Sequence, residues 1–329
     1  MTPLYRHFVL CNLFFGVRPH GPMKWGIVAF LACLVFPVLS PALAGSPSAA
    51  APVSDPIKEH ISVSPQPQRI VALAPSITEI LFSLGLSHRV VGVTRFSDYP
   101  PEATTLPHVG SYVQLDIEKI VSLKPDLCIA IRDGNPESVI NRLESINLPV
   151  YTVNPQNLSS VMEALLELGR LLDAESQAEK IVSDMQARVE TVRRKVATAP
   201  KKPGVFFQIG ISPIVSVGSH TFINELITLS GGVNLAAGDT PYPRFSREAV
   251  IHLKPDILII TSMTRQAVFE AVKREWEQWT AIPAVQNGRI YLVDSNILDR
   301  PTPRLVEGLE MLARLIHPER FEPTNGKDR

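Results

Sequence analysis

The chain has 329 residues, 45% of them hydrophobic, and its 32 Lys and Arg are balanced by 32 Asp and Glu. A zero formal charge gives no electrostatic draw toward nucleic acid or an anionic membrane surface. Enough apolar residues are present to bury a large core without disulfide staples.

The first 44 residues are expected to be removed. From Met23 the chain reads Met-Lys-Trp, then an apolar run to Leu39, then Ser-Pro-Ala-Leu-Ala ending at Ala44. A short charged region, an apolar core and a small-residue cleavage site are the marks of an export signal. A start at Met23 makes residues 1–22 an upstream artefact. The run is shorter than the ~20 apolar residues a membrane span needs, and Pro37 interrupts it. Apolar residues continue past Cys33, which argues for cleavage after Ala44 rather than lipid attachment at Cys33. The chain then keeps one cysteine, Cys128, inside the aliphatic run LCIAI, where a buried apolar role fits it. Residues 45–67, rich in Pro, Ser and Ala, read as a flexible leader. About 260 residues remain, enough for two domains.

A first α/β lobe is expected over 68–157. Strands are predicted at 69–74, 90–93, 127–131 and 150–153, and helices at 76–85, 116–123 and about 136–146. Ser76 with Glu79 three residues on reads as a capping box, and Gly85 as the helix stop. Linking helices are expected over 158–200. There the apolar stripe Ile181, Val182, Met185, Val189, Val192, Val196 predicts one long helix, capped by Ser176 with Glu179 and roughly 35 Å in length. Such a spine crosses from one lobe to the other and allows small lobe movements rather than wide closure. A second α/β lobe is expected over 201–329, with strands at 205–210, 257–261 and 290–293, a helix at 221–229 stopped by Gly231 and Gly232, and a final helix at about 303–316. Trp276 and Trp279 are predicted to pack on its sheet. Strands alternating with helices in both lobes predict doubly wound parallel sheets.

The two lobes share a repeat. Residues 116–131 (DIEKIVSLKPDLCIAI) and 246–261 (SREAVIHLKPDILIIT) align without a gap, six of sixteen positions being identical. Each copy carries a polar cap (Asp116, Ser246), an acidic second position (Glu118, Glu248), then Leu-Lys-Pro-Asp and an aliphatic strand. Two similar lobes around a cleft suit a small-molecule ligand. Glu79 and Glu225, each six residues before a glycine, are read as helix residues. Catalytic signatures are missing: no Gly-x-Ser-x-Gly, phosphate-binding loop or Cys-x-x-Cys is present, and His60, His88, His108, His220, His252 and His317 fall at no metal-ligand spacing. Neither catalytic residues, a cofactor nor a metal site is therefore expected.

The ordered run RIVALAPSITEI, VVGVTRFSDYP, GSYVQLDIEKIVSLKPDL, QIGISPI, FINELITLSGGVN, FSREAVIHLKPDILII and GRIYLVD resembles the substrate-binding proteins of ABC importers for cobalamin, haem and iron chelates. SDYPPEA, RDGNPE, QIGISP and DRPTPR bring it nearest to the cobalamin-binding members. The resemblance implies a periplasmic receptor, two lobes joined by a helix, a corrinoid (cobalamin or cobinamide) carried between them as transported ligand, and docking to an ABC permease in the inner membrane. No catalysis, nucleic acid or oligomer follows from it. Glu118 and Glu248 match carboxylates that pair with permease arginines. Phe96, Tyr112 and Tyr242 match aromatic ligand contacts, and Arg300 a polar contact at the ligand edge. Ile131 and Ile209 stand where the cobalamin-binding members have aromatics, and Asn296 where they have an acid. Arg95, Arg132 and Arg244, beside these motifs, suit carboxylates of haem or a ferric chelate, which is the alternative ligand class. A chelatase-like enzyme is the remaining alternative.

Overall fold

Aliphatic runs too short for helices become the inner strands of two parallel sheets, and each is covered on both faces. The computed structural model describes residues 66–262 and 266–321. In the first half β1 (Ile70–Ala72) leads to α1 (Pro75–Ser83), β2 (Val90–Gly92), the short arms β3 (Gly110–Ser111) and β4 (Gln114–Leu115), α2 (Ile117–Ser122), β5 (Leu127–Ile131), α3 (Glu137–Ser145) and β6 (Val150–Val153). The helices α4 (Leu158–Leu171) and α5 (Glu175–Ala197) follow. In the second half come β7 (Gly204–Gln208), β8 (Ile214–Val215), α6 (Phe222–Leu229), β9 (Val233–Asn234), β10 (Arg244–Phe245), α7 (Arg247–Leu253), β11 (Ile257–Ser262), α8 (Gln266–Glu277) and α9 (Pro283–Gln286). The chain continues through β12 (Ile290–Asp294), α10 (Ser295–Leu298) and α11 (Leu305–Ile316).

The first sheet has the strand order β2-β1-β5-β6 and the second β9-β7-β11-β12, all parallel, so the duplication extends to topology. The register agrees as well, Ile70 pairing Leu127 in one lobe and Val205 pairing Ile257 in the other. The antiparallel arms β3-β4 and β8-β10 repeat too, with β4 and β10 separated by the same 130 residues as the helices they precede.

The Leu-Lys-Pro-Asp run has a structural explanation. Lys124 and Lys254 both take left-handed φ (48° and 49°) at the ends of α2 and α7, turning the chain into the strand. The aspartates then anchor the neighbouring first strand: Asp126 accepts the Gln68 and Arg69 N–H groups at 2.7 and 2.9 Å, and Asp256 the Gly204 N–H at 2.8 Å. Asp116 and Ser246 cap their helices through the Lys119 and Ala249 N–H groups.

Alternate residues of each strand enter different cores. Val71, Leu73, Cys128 and Ala130 pack with Ile120 and Leu143 on the outer face of the first sheet. Phe206, Leu258 and Ile260 pack with Trp276 on the outer face of the second. The inner faces share one core, in which Ile70, Ala72 and Ile129 join Val205, Phe207 and Ile259 through the linking helices and α11. Of the predicted stripe of α5, Val182, Met185 and Val192 are buried in this core and Ile181, Val189 and Val196 pack against it, while Arg188 of α5 holds Glu310 of α11 by two bonds of 2.9 Å. A continuous apolar interface of this kind resists independent domain motion.

Three local expectations are corrected. Pro75 occupies the first position of α1, so Ala74 is the N-cap and Ser76 lies inside the helix without capping it. Glu79, freed of that role, points across the molecule. Likewise α5 begins at Glu175 with Ala174 as N-cap, directly after a left-handed turn at Asp173, so Ser176 and Glu179 form no box. The close α4/α5 crossing depends on Gly169, where a Cβ would come within 2.5 Å of Ala178 Cβ. A capping box does occur at Asn157 and Ser160, opening α4. Trp276 is buried and donates to Gln208 Oε1 at 2.8 Å, but Trp279 lies past the helix end and is exposed. The export signal (1–44), Cys33 and nearly all of the leader (45–67) lie outside the described residues. Among the described residues no helix is long and apolar enough to cross a membrane.

Candidate ligand-binding cleft

In open parallel sheets the loops beyond the carboxyl ends of the strands form the natural ligand crevice. Here both sheets turn those ends toward one cleft of about 1760 Å³. The first lobe supplies Pro75 and Ser76 after β1, Arg95, Phe96 and Asp98 after β2, Ile131 and Asp133 at the end of β5, and Asn154 after β6. The second supplies Ile209 after β7, His220 before α6, Asp294 at the end of β12, and Asn296, Asp299 and Arg300 after it. The volume exceeds the roughly 300–1,000 Å³ typical of drug-sized ligands.

Aromatic surface is delivered by the duplicated arms. Tyr112 occupies the turn between β3 and β4, and Tyr242 precedes β10, one repeat offset away (242 − 112 = 130). Their equivalence is readable in the sequence once the repeat is extended four residues upstream of Asp116. Tyr242 is 59% and Phe96 45% exposed. Phe96 meets Tyr112 edge-on, with centroids 6.3 Å apart, and the Arg95 guanidinium lies 4.8 Å over the Phe96 ring. Buried Asn135 braces this wall: its amide donates to the Leu73 and Tyr112 carbonyls and its oxygen accepts the Ile131 N–H, all at 2.8 Å.

All seven residues put forward as ligand contacts line this cleft: Phe96, Tyr112, Ile131, Ile209, Tyr242, Asn296 and Arg300. Arg300, however, has its guanidinium turned to protein. It donates to Glu79 Oε1 at 2.9 Å, Asp98 Oδ1 at 2.6 Å and the Phe96 carbonyl at 3.2 Å. Burial raises the Glu79 carboxyl above its ordinary value against the opposing pull of Arg300 and Arg304. Asp299 is open to the cleft yet ringed by protein, and desolvation, reinforced by Asp294 and opposed by Arg300, pushes it up to about 6. Arg95 lines the cleft, whereas Arg132 and Arg244 are exposed outside its lining. Glu118 and Glu248 are exposed in the first turns of α2 and α7, each six residues past a cleft tyrosine. Hydrogen bonds from its own N–H and from Ser246 hold Glu248 below the ordinary carboxylate range. Cys128 is buried, and desolvation raises its thiol to about 12. Among the described residues no three His, Cys, Asp or Glu side chains are grouped to hold a metal ion.

This architecture has known relatives. Residues 70–297 match the family described as periplasmic binding protein. An uncharacterized ABC transporter substrate-binding lipoprotein, YvrC of Bacillus subtilis, is 34% identical over 82% of this chain and 86% of its own length. The vitamin B12-binding protein of Vibrio campbellii is 31% identical over 74% of this chain and 86% of its own. Among solved structures, the vitamin B12-binding protein BtuF of Vibrio cholerae superposes with a TM-score of 0.68 at 29% identity, covering 78% of this chain and 99% of that one. A periplasmic heme-binding protein from Pseudomonas aeruginosa gives 0.70 at 28% identity, covering 77% and 93%. The chain belongs to the periplasmic binding protein family.

Proposed function

We propose that this member of the periplasmic binding protein family captures a corrinoid between its lobes in the periplasm and hands it, as a monomer, to an ABC permease. The observation that carries the reading is the aromatic triplet Phe96, Tyr112 and Tyr242 facing a cleft too large for an ordinary small ligand. A corrinoid presents broad flat faces, which such rings cover, and a rim of amides, which Asn296 meets at the edge. Ile131 and Ile209 add apolar surface. Charge argues in the same direction. Among the described residues the cleft is lined by the carboxylates of Asp98, Asp133, Glu225, Glu270, Asp294 and Asp299, against the guanidinium groups of Arg95 and Arg300 and one imidazole, His220. An acidic cleft disfavours a ligand carrying two carboxylates and accepts a neutral or cationic one.

Haem or a ferric chelate is the second reading, favoured by Arg95, whose cation lies over the Phe96 ring at the cleft wall. Delivery requires contact with the permease. Glu118 and Glu248, exposed and equivalent in the repeat, are assigned to that contact; such charges act on orientation and encounter rate. No catalytic step is part of this function. Calorimetric titration of the purified protein with cyanocobalamin, cobinamide, haemin and a ferric hydroxamate decides between the readings. One-to-one binding of either corrinoid, with haemin much weaker, is expected. Stoichiometric binding of haemin or the hydroxamate with both corrinoids silent would sink it.

A further inference from the structure

Glu79 and Glu225 occupy equivalent places, each in the first helix of its lobe and six residues before a glycine of positive φ (Gly85 at +78°, Gly231 at +79°). Each reaches across to the other half. Glu225 accepts the N–H of Leu158 at 2.8 Å, at the start of α4, just beyond the last strand of the first sheet. Glu79 accepts from Arg300 at 2.9 Å and lies 3.5 Å from Arg304, in the segment that enters α11, just beyond the last strand of the second sheet. The two contacts are therefore one arrangement made twice: the first helix of each lobe holds the segment that leaves the last strand of the opposite lobe.

The second contact also reaches the ligand wall. Arg300, held by Glu79, grips Asp98 and the Phe96 carbonyl, and the Arg304 guanidinium lies 3.7 Å over the Tyr99 ring. With 13% and 16% of their side chains exposed, the two arginines are enclosed between the lobes, and Glu79 is 2% exposed. An ion pair so enclosed is held by geometry that small lobe shifts break.

From this pseudo-symmetric pair we infer that Glu79 and Glu225 form an interlobe clasp that sets the width of the cleft, and that Arg300 is a positioning residue that fixes Phe96 against the ligand. The inference rests on the cleft being the ligand site. It gives the linking helices a partner: the shared core restrains the lobes, and the clasp selects one separation within that restraint. Loosening either end widens the cleft at both, so substitution of Glu79, which is not part of the cleft lining, costs the ligand its contact with Phe96.

Hydrogen–deuterium exchange at the Leu158 amide, together with calorimetry using cyanocobalamin, tests this in the purified protein. Glu225→Ala removes the acceptor and speeds Leu158 exchange directly. Glu79→Gln, made at the other end of the clasp, is expected to speed the same amide and to weaken cyanocobalamin roughly fivefold or more, a typical size for coupling between sites. Unchanged Leu158 exchange in Glu79→Gln would make the two contacts independent and overturn the clasp. Faster exchange with undiminished affinity would overturn its control of the cleft. Should Glu79→Gln fail to fold, Arg304→Gln, which removes the second arginine on Glu79 and lies outside the cleft lining, carries the same two readouts, and the same two results would overturn the proposal. If the wild-type protein binds no corrinoid, the exchange experiment still decides the clasp, so the two failures are separable.

Discussion

Tyr242→Ala isolates the contribution of one cleft ring, because the residue is mostly exposed without ligand. With 59% of its surface open, a tyrosine of ~200 Å² offers on the order of 120 Å² to a ligand. If a corrinoid face covers half of that, about 60 Å² leaves water, worth ~1.5 kcal/mol at 25 cal/mol per Å². That is about a tenfold rise in Kd. Stability should change little, since few protein contacts are lost, and Tyr242→Phe should bind almost as well as the native protein. Calorimetric titration with cyanocobalamin, with thermal denaturation as the control, provides the measurement. A Kd within about twofold of the native value would show that Tyr242 does not face the ligand, and the pairing of Tyr112 with Tyr242 as two matched contacts would fall with it.

Tyr112→Ala should weaken corrinoid binding by about 1–3 kcal/mol, the range of aromatic hot spots, measured in the same titration; an unchanged Kd removes Tyr112 from the site. Reversing both Glu118 and Glu248 to Lys should leave ligand affinity nearly intact and abolish uptake in a transport assay, and normal uptake refutes the docking role. Asp126→Ala and Asp256→Ala should each destabilise the fold by about 1–3 kcal/mol in urea unfolding, since each removes a carboxylate that accepts backbone N–H groups at the start of the neighbouring first strand; a neutral result would deny the repeated aspartates their anchoring role. Asp299, raised to about 6 from 3.8, prefers its neutral form when folded. Its effect is nil below about pH 4, costs stability as pH rises through that window, and persists above it. Asp299→Asn should therefore raise Tm near pH 8 and leave it unchanged near pH 4; the opposite pattern would contradict the shift.

Much of the fold was legible because it is written in local patterns. The strands at 127–131 and 150–153 matched residue for residue, and α5 followed its apolar stripe, since strand and helix periods depend only on near neighbours. The failures at Ser76 and Ser176 are also local: Pro75 and the left-handed Asp173 started each helix earlier than the serines suggested. The short arms were missed because two-residue strands carry no periodic signal, yet they are what bring Tyr112 and Tyr242 to the cleft.

From the residue order alone came two duplicated parallel-sheet lobes, a helical link and the positions of the aromatic and acidic candidates. Asp116 and Ser246 act through backbone groups three residues on, in a place that the repeat makes recognisable. The fate of Arg300 and Glu79 was decided only in three dimensions. They are 221 residues apart and 2.9 Å from one another, and nothing near either residue announces the other. Chain closure alone converts an expected helix residue and an expected ligand contact into the junction between the lobes.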